Sequence, residues 1–462
     1  MTGPDISANV VTVRDCSPFP DLTREQEVWL RKLVSETKTA SMLLRLGRPT
    51  DDIEQDDPLA VFDSASGKWW AGRYVGEVQF EGVTLRIEPR FGMPALMRWL
   101  STVWGVRLVE SKGSHHQQRI WLWIVVAHLW VGRLMAAAKH GLPSKRVDTV
   151  HRGHALRGRL LARKTALGRK TGDDCLMSVT RNRVVDVKIG STLLAAFERL
   201  DRPLKEYGGS RGWLPERART LVEELSNALG GRDRRARKRM RPTIHYSPIT
   251  ESYRPIVDLS LSILEHKPLL PTSAGDRKAF GIVLDVAEIW ELYVAKILQT
   301  ALPAFRVSHT GRSRDHFRWL LSSAIDDDKF GSLRPDIIVS DFRDRCLAIV
   351  DAKYKTTRIN ATNRTGVVTE DLYQLAAYLS AFGEQGSRLD GFLVYPEDEL
   401  GQVIRRLAPR NPWSFFSVPN RNLWFVSIDC GAAGDAIQSE RQMADLIHSA
   451  VENCATKRLQ AD

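Results

Sequence analysis

Short apolar runs alternate with polar connections in the C-terminal half of the chain. Residues 337–340 (IIVS) and 346–350 (CLAIV) are rich in β-branched and apolar side chains, and the mainly polar residues 341–345 join them. Two such runs with a connection of this length predict a β-hairpin. The apolar runs at 390–396 and 422–430 predict two further strands.

Three segments of the same half repeat their apolar residues with helical spacing. Residues 284–302, 369–383 and 440–456 place apolar side chains three and four positions apart, which is typical of helices that cover a sheet. In the second segment we expect Thr369 to cap the helix and Gly383 to end it. This order of helices and strands predicts an α/β fold with a mixed sheet flanked by helices.

The first half of the chain is mixed in pattern. Residues 22–37 have helical spacing, and residues 73–92 alternate apolar and polar positions around Glu81 and Gly82, which predicts a hairpin with its turn at that pair. The most apolar stretch, 120–138, contains a histidine and an arginine. Because such residues are rare in membrane spans, we expect a buried helix and no membrane partner.

Composition places the chain among basic globular proteins. Of its 462 residues, 43% are hydrophobic and 26% are charged, the net charge is +12 and the pI is about 9.5. This content excludes a disordered chain, and the basicity favours a polyanionic partner such as DNA. The five cysteines form no CxxC pair, and neither a secretory signal nor a P-loop motif is present. We therefore expect a cytoplasmic protein with reduced cysteines and no nucleotide-binding site of its own.

Charge and pattern divide the chain into three regions. Residues 1–110 are mixed, residues 111–250 are basic and mainly helical, and residues 251–462 hold the predicted α/β domain. The densest positive run, GGRDRRARKRMRP at 230–242, lies near the second boundary. It is either a solvated linker or an arm that contacts DNA phosphates. We favour DNA contact, and the candidate DNA-binding residues are Arg234, Arg235, Arg237, Lys238 and Arg239.

Three charged residues mark one end of the hairpin predicted at 337–350. Asp336 precedes the first strand, Asp351 follows the second, and Lys353 comes two residues later. Ends of antiparallel strands lie side by side, and residues two apart in an extended chain point to the same face. Two carboxylates so placed suit a divalent cation, and the lysine suits an attacking water and a charged phosphate. Solvated hairpin ends are the alternative interpretation.

The segment from Pro335 to Lys353 resembles the site of the PD-(D/E)xK nucleases. Downstream, Gln374 and Tyr378 are four residues apart on a predicted helix, similar to the Gln-x-x-x-Tyr pattern of the RecB-like branch of that superfamily. The resemblance implies a Mg²⁺-dependent nuclease with a restriction-endonuclease-like core, in which Gln374 orients the phosphate or the site.

The same resemblance implies metal ligands beyond Asp336 and Asp351. One candidate is the Ala352 carbonyl, and another is a glutamate on the helix that precedes the hairpin. Glu291 is preferred over Glu288 for that role, ordinary surface charges being the alternative. Lys355 is the substitute candidate for the lysine at position 353.

Several stretches across the chain resemble McrC, the nuclease subunit of McrBC-type modification-dependent restriction systems. They are YVGEVQFEGVTLRIEPRFG at 74–92, LRGRL at 156–160, WELYV at 290–294, RPDIIV at 334–339, DAKYK at 351–355 and LYQLAAY at 372–378. The resemblance implies a partner, a ring-forming AAA+ GTPase of the McrB type, and an N-terminal part that docks into the ring. The hairpin at 73–92 is our docking candidate, and a purely structural hairpin is the alternative.

We therefore expect a Mg²⁺-dependent DNA endonuclease subunit of a McrBC-like restriction system that cleaves DNA together with its GTPase partner. Two alternatives stay open. One is a stand-alone nuclease of the same fold in repair or recombination, and the other is a basic nucleic-acid-binding scaffold whose acidic cluster is inert. Dependence on a GTPase separates the first two, and metal-dependent cleavage excludes the third.

Overall fold

The chain folds into two compact units in a computed structural model. The first unit combines Met1–Glu110 with Ser273–Asp462, and the second is Ser111–Thr272. The architecture is mixed α/β with several sheets. The structure describes residues 10–38, 43–46, 58–104, 120–208, 213–230, 244, 246–265, 280–310, 317–355, 367–384, 386–397, 403–415, 420–431 and 435–459.

The N-terminal part of the first unit is mainly strands, with one helix after the first strand and a second helix after the last. Its elements are β1 (Val10–Arg14), α1 (Arg24–Lys38), β2 (Leu43–Leu46), β3 (Ala60–Asp63), β4 (Lys68–Ala71), β5 (Tyr74–Phe80), β6 (Val83–Glu88) and α2 (Gly92–Trp104). The helix predicted at 22–37 and the hairpin predicted at 73–92 are both confirmed.

The second unit contains a helical core and a three-stranded sheet. Its elements are α3 (Ile120–Ala137), β7 (Ser144–Gly153), β8 (Arg159–Leu160), α4 (Ala162–Lys170), β9 (Leu176–Val185), α5 (Val187–Gly208), α6 (Glu216–Ala228) and α7 (Arg254–Glu265). The apolar helix predicted at 120–138 is α3, whose middle residues are buried. Among the described residues, no helix is both long enough and apolar enough to cross a membrane.

The C-terminal part of the chain completes the first unit. Its elements are β10 (Phe280–Asp285), α8 (Val286–Ala301), β11 (Arg306–His309), β12 (Arg318–Ser322), β13 (Lys329–Leu333), β14 (Ile337–Ser340), β15 (Cys346–Ala352), α9 (Thr369–Phe382), β16 (Leu389–Glu397), α10 (Val403–Leu407), β17 (Trp413–Ser414), β18 (Arg421–Asp429) and α11 (Ala436–Leu459). The helix expected at 284–302 is shorter at its start, because Leu284 and Asp285 end β10. The Asp285 carboxylate caps α8 by accepting from the backbone N–H of Ala287 at 3.1 Å.

The hairpin β5–β6 lies inside a five-stranded sheet. Glu81 and Gly82 have φ angles of 47° and 80°, as a tight two-residue turn requires. The strand order is β1-β6-β5-β10-β2, so each hairpin strand has a neighbour on both sides. A Cβ atom on Gly76 would lie 2.1 Å from the Ile282 carbonyl oxygen, which shows how closely β5 and β10 approach. The hairpin is therefore an interior part of this unit and not a free-standing arm.

A six-stranded mixed sheet carries the candidate site, with the order β11-β14-β15-β16-β18-β17. The predicted hairpin is confirmed, because β14 and β15 pair antiparallel with Ile337 opposite Val350. β15, β16 and β18 run parallel to one another. Leu375 and Leu379 of α9 join the buried core of this sheet. The antiparallel pairing brings the start of β14 next to the end of β15.

The boundaries of the units differ from the three regions expected from the sequence. β10 was expected in the third region but pairs with β5 and β2 of the N-terminal sheet. α7 was expected there too, yet it packs against α3 and α5 of the second unit. Nonlocal strand pairing and helix packing, which leave no mark in local composition, set these boundaries. The basic run at 230–242 lies almost entirely outside the described residues.

Candidate active site

Asp336 lies immediately before β14 and turns its carboxylate towards the end of β15. Its Oδ2 atom accepts a hydrogen bond of 2.8 Å from the backbone N–H of Ala352. Its own carbonyl oxygen accepts from the Thr310 N–H at 3.0 Å, and the Thr310 hydroxyl donates to the Pro335 carbonyl. These contacts hold the Pro335–Asp336 segment against both neighbouring strands.

Asp351 is fully buried in β15 and directly precedes Ala352, whose backbone N–H binds the Asp336 carboxylate. Among the described residues, the Oδ1 atom of Asp351 has no hydrogen-bond partner. Burial raises the pKa of Asp336 well above its usual value, and the negative charges of Glu291 and Asp351 raise it further. Carboxylates this close together repel one another, because no positive charge from the described part of the chain lies between them at the centre of the site.

Lys353 supplies part of that charge from the edge of the cluster. Its Nζ atom lies 2.8 Å from Asp351 Oδ2 and donates a 2.6 Å hydrogen bond to Gln374 Oε1. Burial alone would lower the pKa of Lys353, but the Asp351 and Asp336 carboxylates outweigh it, so the pKa is raised above 10.5. The two carboxylates therefore favour the charged form of Lys353.

Helix α9 fixes the direction of the Lys353 side chain. Gln374 accepts from Lys353 and donates through Nε2 to the Tyr378 hydroxyl at 2.7 Å. The Tyr378 hydroxyl donates to the Arg334 carbonyl at 3.0 Å, two residues before Asp336. Gln374 and Tyr378, four residues apart on α9, thus form one chain of hydrogen bonds. This chain joins α9 to Lys353 after β15 and to Arg334 before β14. Thr369 is the first helical residue and not the cap, because Val368 occupies the cap position without a side-chain bond.

Asp371 belongs to the site, although the sequence suggested only a favourable charge in the first turn of α9. Its side chain is 1% exposed. Oδ1 accepts from Lys355 Nζ at 2.6 Å, and Oδ2 accepts from the Tyr395 hydroxyl at 3.1 Å. Lys353 Nζ is 4.0 Å from the same carboxylate. Lys355 therefore pairs with Asp371, whereas Lys353 pairs with Asp351. The contact between Lys355 and Asp371 depends on where α9 packs, which the sequence does not show.

Glu291 and Glu288 both lie on α8, and they are not ordinary surface charges. Glu291 contacts His309, which pairs with Ile337 directly after Asp336, so Glu291 lies near the cluster, and its charge raises the pKa of Asp336. Its Oε2 atom lies 3.5 Å from Nε2 of His309 at the end of β11, a neighbour that sequence reasoning missed. Glu288 is 6% exposed in the first turn of the helix.

The donor set fits a hard divalent cation only in part. Across the portion of the chain that the structure describes, no group of three or more His, Cys, Asp and Glu residues converges into a complete metal site. What converges is the Asp336–Asp351 pair, with one buried, unpartnered oxygen. Mg²⁺ is commonly held by one or two carboxylates, with water and substrate phosphate completing its octahedron. The carboxylate pair fits that role, while Glu291 and the Ala352 carbonyl remain candidates for it.

The structure does not place every candidate residue from the sequence. It brings together Asp336, Asp351, Lys353 and Gln374, with Glu291 close by. The five basic candidates for DNA binding lie outside the described residues. They are Arg234, Arg235, Arg237, Lys238 and Arg239.

Comparison with known proteins identifies the class of system in which this chain works. Residues 70–396 match the family of the McrBC 5-methylcytosine restriction system component. No curated protein matches the chain. Since the family match spans more than half of the chain, the protein is a restriction-system component. It belongs to the McrBC 5-methylcytosine restriction system component family.

Two solved structures from Thermococcus gammatolerans are similar to the chain. One is a refined half-complex from a tetradecameric assembly of McrB AAA+ hexamers with bound McrC. It is 16% identical with a TM-score of 0.50, and the match covers 95% of this chain and 100% of that chain. The other, a cryo-EM structure of the McrBC complex, is 16% identical with a TM-score of 0.32, covering 64% and 89%. The first likeness supports a shared overall fold along nearly the whole chain.

Proposed function

We propose that this chain is the Mg²⁺-dependent DNA endonuclease subunit of a McrBC-type restriction system, with a PD-(D/E)xK core. The observation that carries the proposal is the convergence of Asp336, Asp351, Lys353 and Gln374 at one end of the β14–β15 hairpin. Two carboxylates and a charged lysine at one point suit phosphodiester hydrolysis, in which negative charge grows on the phosphate. The basic composition of the chain suits the substrate.

Each residue has a distinct part in the proposed reaction. Asp336 and Asp351 would hold the Mg²⁺ ion, which when bound supplies Lewis acidity at the phosphate and a more acidic water. Lys353 stabilises the charge that develops on the scissile phosphate and orients the attacking water, because its ammonium group is fixed by Gln374 at 2.6 Å. Asp371 holds Lys355 at 2.6 Å, which keeps a second positive charge beside the phosphate path.

We further propose an AAA+ GTPase of the McrB type as the partner, in line with the complex of McrB hexamers with bound McrC to which the fold is similar. The hairpin β5–β6, our docking candidate from the sequence, has both strand edges paired inside its sheet, so its exposed turn at Glu81 and Gly82 is the part open to a partner. A second candidate is the antiparallel ribbon of β7 and β9, whose strands have ten residues each; most of β7 is exposed, and β9 is exposed from Arg181 to Val184. Strands of that length reach roughly 33 Å, and a ribbon with exposed faces leaves its surface available to a partner.

Cleavage of methylated DNA tests the proposal. The chain is mixed with its GTPase partner, GTP, Mg²⁺ and plasmid carrying 5-methylcytosine, and linear product is measured. We expect cutting by the wild type and none by Asp351→Asn. The matched control is Asp344→Asn, an exposed carboxylate in the turn of the same hairpin, which should cut normally. Equal cutting by Asp351→Asn and the wild type would overturn the assignment of the site.

Omitting single components separates the remaining interpretations. Full cutting by the isolated chain with Mg²⁺ alone would favour the stand-alone nuclease. DNA binding without cutting under every condition, partner included, would favour the scaffold. Deleting the outer part of the β7–β9 ribbon should abolish any stimulation of the partner's GTP hydrolysis, while replacing the exposed Ile437 of α11 by alanine should leave it unchanged. Undiminished stimulation by the ribbon deletion would exclude the ribbon as the docking element.

A further inference from the structure

A buried cluster of charged and aromatic residues joins the N-terminal sheet to the residue between the two site lysines. Tyr354 is 7% exposed. The Arg90 guanidinium carbon lies 4.2 Å from the centre of its ring. Trp99 packs edge-on against the same ring at 6.0 Å, and Phe91 does so at 5.9 Å. Cation–π and edge-to-face contacts of this kind are strongest where water is excluded.

Asp15 anchors Arg90 from the other side. Asp15 is fully buried at the end of β1. Its Oδ1 atom accepts a 2.6 Å hydrogen bond from the backbone N–H of Arg90, and its Oδ2 atom lies 3.9 Å from Arg90 Nε. Arg90 comes two residues after β6 and Asp15 directly follows β1, so the guanidinium over Tyr354 is fixed to the ends of these two strands of the N-terminal sheet. A buried arginine that is both paired and stacked has little freedom to move.

The side chains of residues 353–355 lie alternately in two different surroundings. Lys353 and Lys355 reach α9, where Gln374 and Asp371 accept from their ammonium groups. Tyr354 between them points the other way, into the cluster of Arg90 and Trp99. Lys353 directly follows β15 and still pairs with β16 through its backbone N–H, so alternate side chains from here leave the backbone in opposite directions. The position of the lysine backbone therefore depends on how Tyr354 is seated.

We propose that Tyr354, clamped between Arg90 and Trp99, is a positioning residue that sets the place of Lys353, so that the N-terminal sheet is a working part of the active centre. The effect that we predict on catalysis rests on the proposed nuclease function. The effect that we predict on the position of Lys353 does not. Plain core packing is the competing explanation. The two explanations predict different results for the Lys353 ammonium group, which lies on the opposite side of the backbone from Tyr354. Plain packing predicts that its surroundings stay the same when Tyr354 is replaced, whereas our proposal predicts that they change.

The reactivity of Lys353 towards an amine-selective reagent tests the geometric part without relying on cleavage. Its side chain is 12% exposed, so a pulse of succinimidyl ester read by mass spectrometry should label it slowly in the wild type. Tyr354→Leu removes the stack and should label Lys353 several-fold faster, while Tyr354→Phe keeps the ring and should restore protection. The control is Tyr246→Leu, which removes an Arg-over-Tyr stack of 4.5 Å elsewhere in the chain. The exposed Lys32 is the internal reference in every sample.

Kinetics with the partner test the catalytic part. Tyr354→Leu should lower kcat by about 10- to 100-fold with KM for DNA unchanged, because a small displacement of Lys353 is felt only in the transition state. If Tyr354→Leu does not fold, the double variant Asp15→Asn with Arg90→Gln removes the clamp's charges and should show the same pattern more weakly. Unchanged labelling of Lys353 in a folded clamp variant would overturn the proposal. Altered labelling with an inactive wild type would instead show that the nuclease assignment is at fault.

Discussion

Replacing Asp336 by asparagine should stabilise the protein while it removes activity. Burial and the charges of Glu291 and Asp351 make the ionised Asp336 carboxylate costly in the folded state, which is why its pKa is raised. Asparagine removes the charge, and its amide oxygen can still accept the 2.8 Å bond from the Ala352 N–H. Its amide N–H₂ group can also donate to the neighbouring carboxylates. The substitution therefore relieves repulsion without opening a cavity.

The size of this gain follows from what it costs to bury a charge without a full set of partners. Relief of one such group is worth on the order of 1–3 kcal/mol. Since each kcal/mol shifts the melting temperature of a large domain by roughly 2–4 °C, we expect a rise of about 2–12 °C in EDTA. Mg²⁺ at about 100 times its Kd should stabilise the wild type by about 2.7 kcal/mol. The variant should lose most of that response.

The raised pKa of Asp336 also determines in which direction the stability of the fold changes with pH. The folded state retains the Asp336 proton at pH values where the unfolded state, with an ordinary pKa of 3.8, has released it. Protonation of Asp336 thus stabilises the fold fully below that ordinary pKa, and this contribution is lost as the pH rises through the raised pKa of the folded state. The advantage of Asp336→Asn should therefore be small in acid and grow towards neutral pH.

Calorimetry in EDTA and in Mg²⁺ measures both effects in the same samples. Asp344→Asn, at an exposed carboxylate of the same hairpin, is the control and should shift neither the EDTA melting temperature nor the Mg²⁺ response. A lower melting temperature for Asp336→Asn in EDTA would show that the aspartate is a structural group and not a strained one. An equal Mg²⁺ response in the wild type and the variant would refute the cation site.

Four further predictions concern other parts of the molecule. Lys353→Ala should reduce kcat below about 1% of wild type at saturating Mg²⁺, and Lys353→Arg should recover little, because a planar guanidinium does not replace a point charge. Asp371→Asn should lower kcat by about tenfold with unchanged KM, since the amide still accepts from Tyr395 but loses the ion pair with Lys355. Gly82→Val should cost about 1–2 kcal/mol in urea unfolding, because φ is 80° there. Neutralising the arginines and lysine of the 230–242 run should reduce the salt slope of DNA binding by roughly 0.9 per lost phosphate contact, and an unchanged slope would make the run a linker.

The sequence predicts those elements whose signal is local. The β14–β15 hairpin was predictable because its strands are short, apolar and separated by a polar turn. The β5–β6 hairpin was predictable because Gly82 follows the turn residue Glu81 between alternating strands. In both cases neighbouring residues carry the information.

Elements and contacts that depend on distant partners were not predictable in the same way. Leu284 and Asp285 were predicted as the start of a helix, because only their pairing with β5 makes them the end of β10. Asp371 looked like a first-turn charge, because its burial beside Tyr395 depends on the crossing of α9 over the sheet. Tyr354 carries no local mark, since its partner Arg90 is 264 positions earlier in the numbering of the chain. Motif spacing therefore locates the cluster, while its supporting residues come only from the fold.

The most direct test of the central claim is the position of a bound divalent ion. Crystals of the full chain grown with Mn²⁺ would reveal the ion by its anomalous scattering. We predict one peak within about 2.0–2.4 Å of an oxygen from each of Asp336 and Asp351, and no peak at that place in Asp351→Asn. An ion bound elsewhere, or a wild-type cluster that stays empty at saturating Mn²⁺, would contradict a metal-dependent nuclease site at the end of this hairpin.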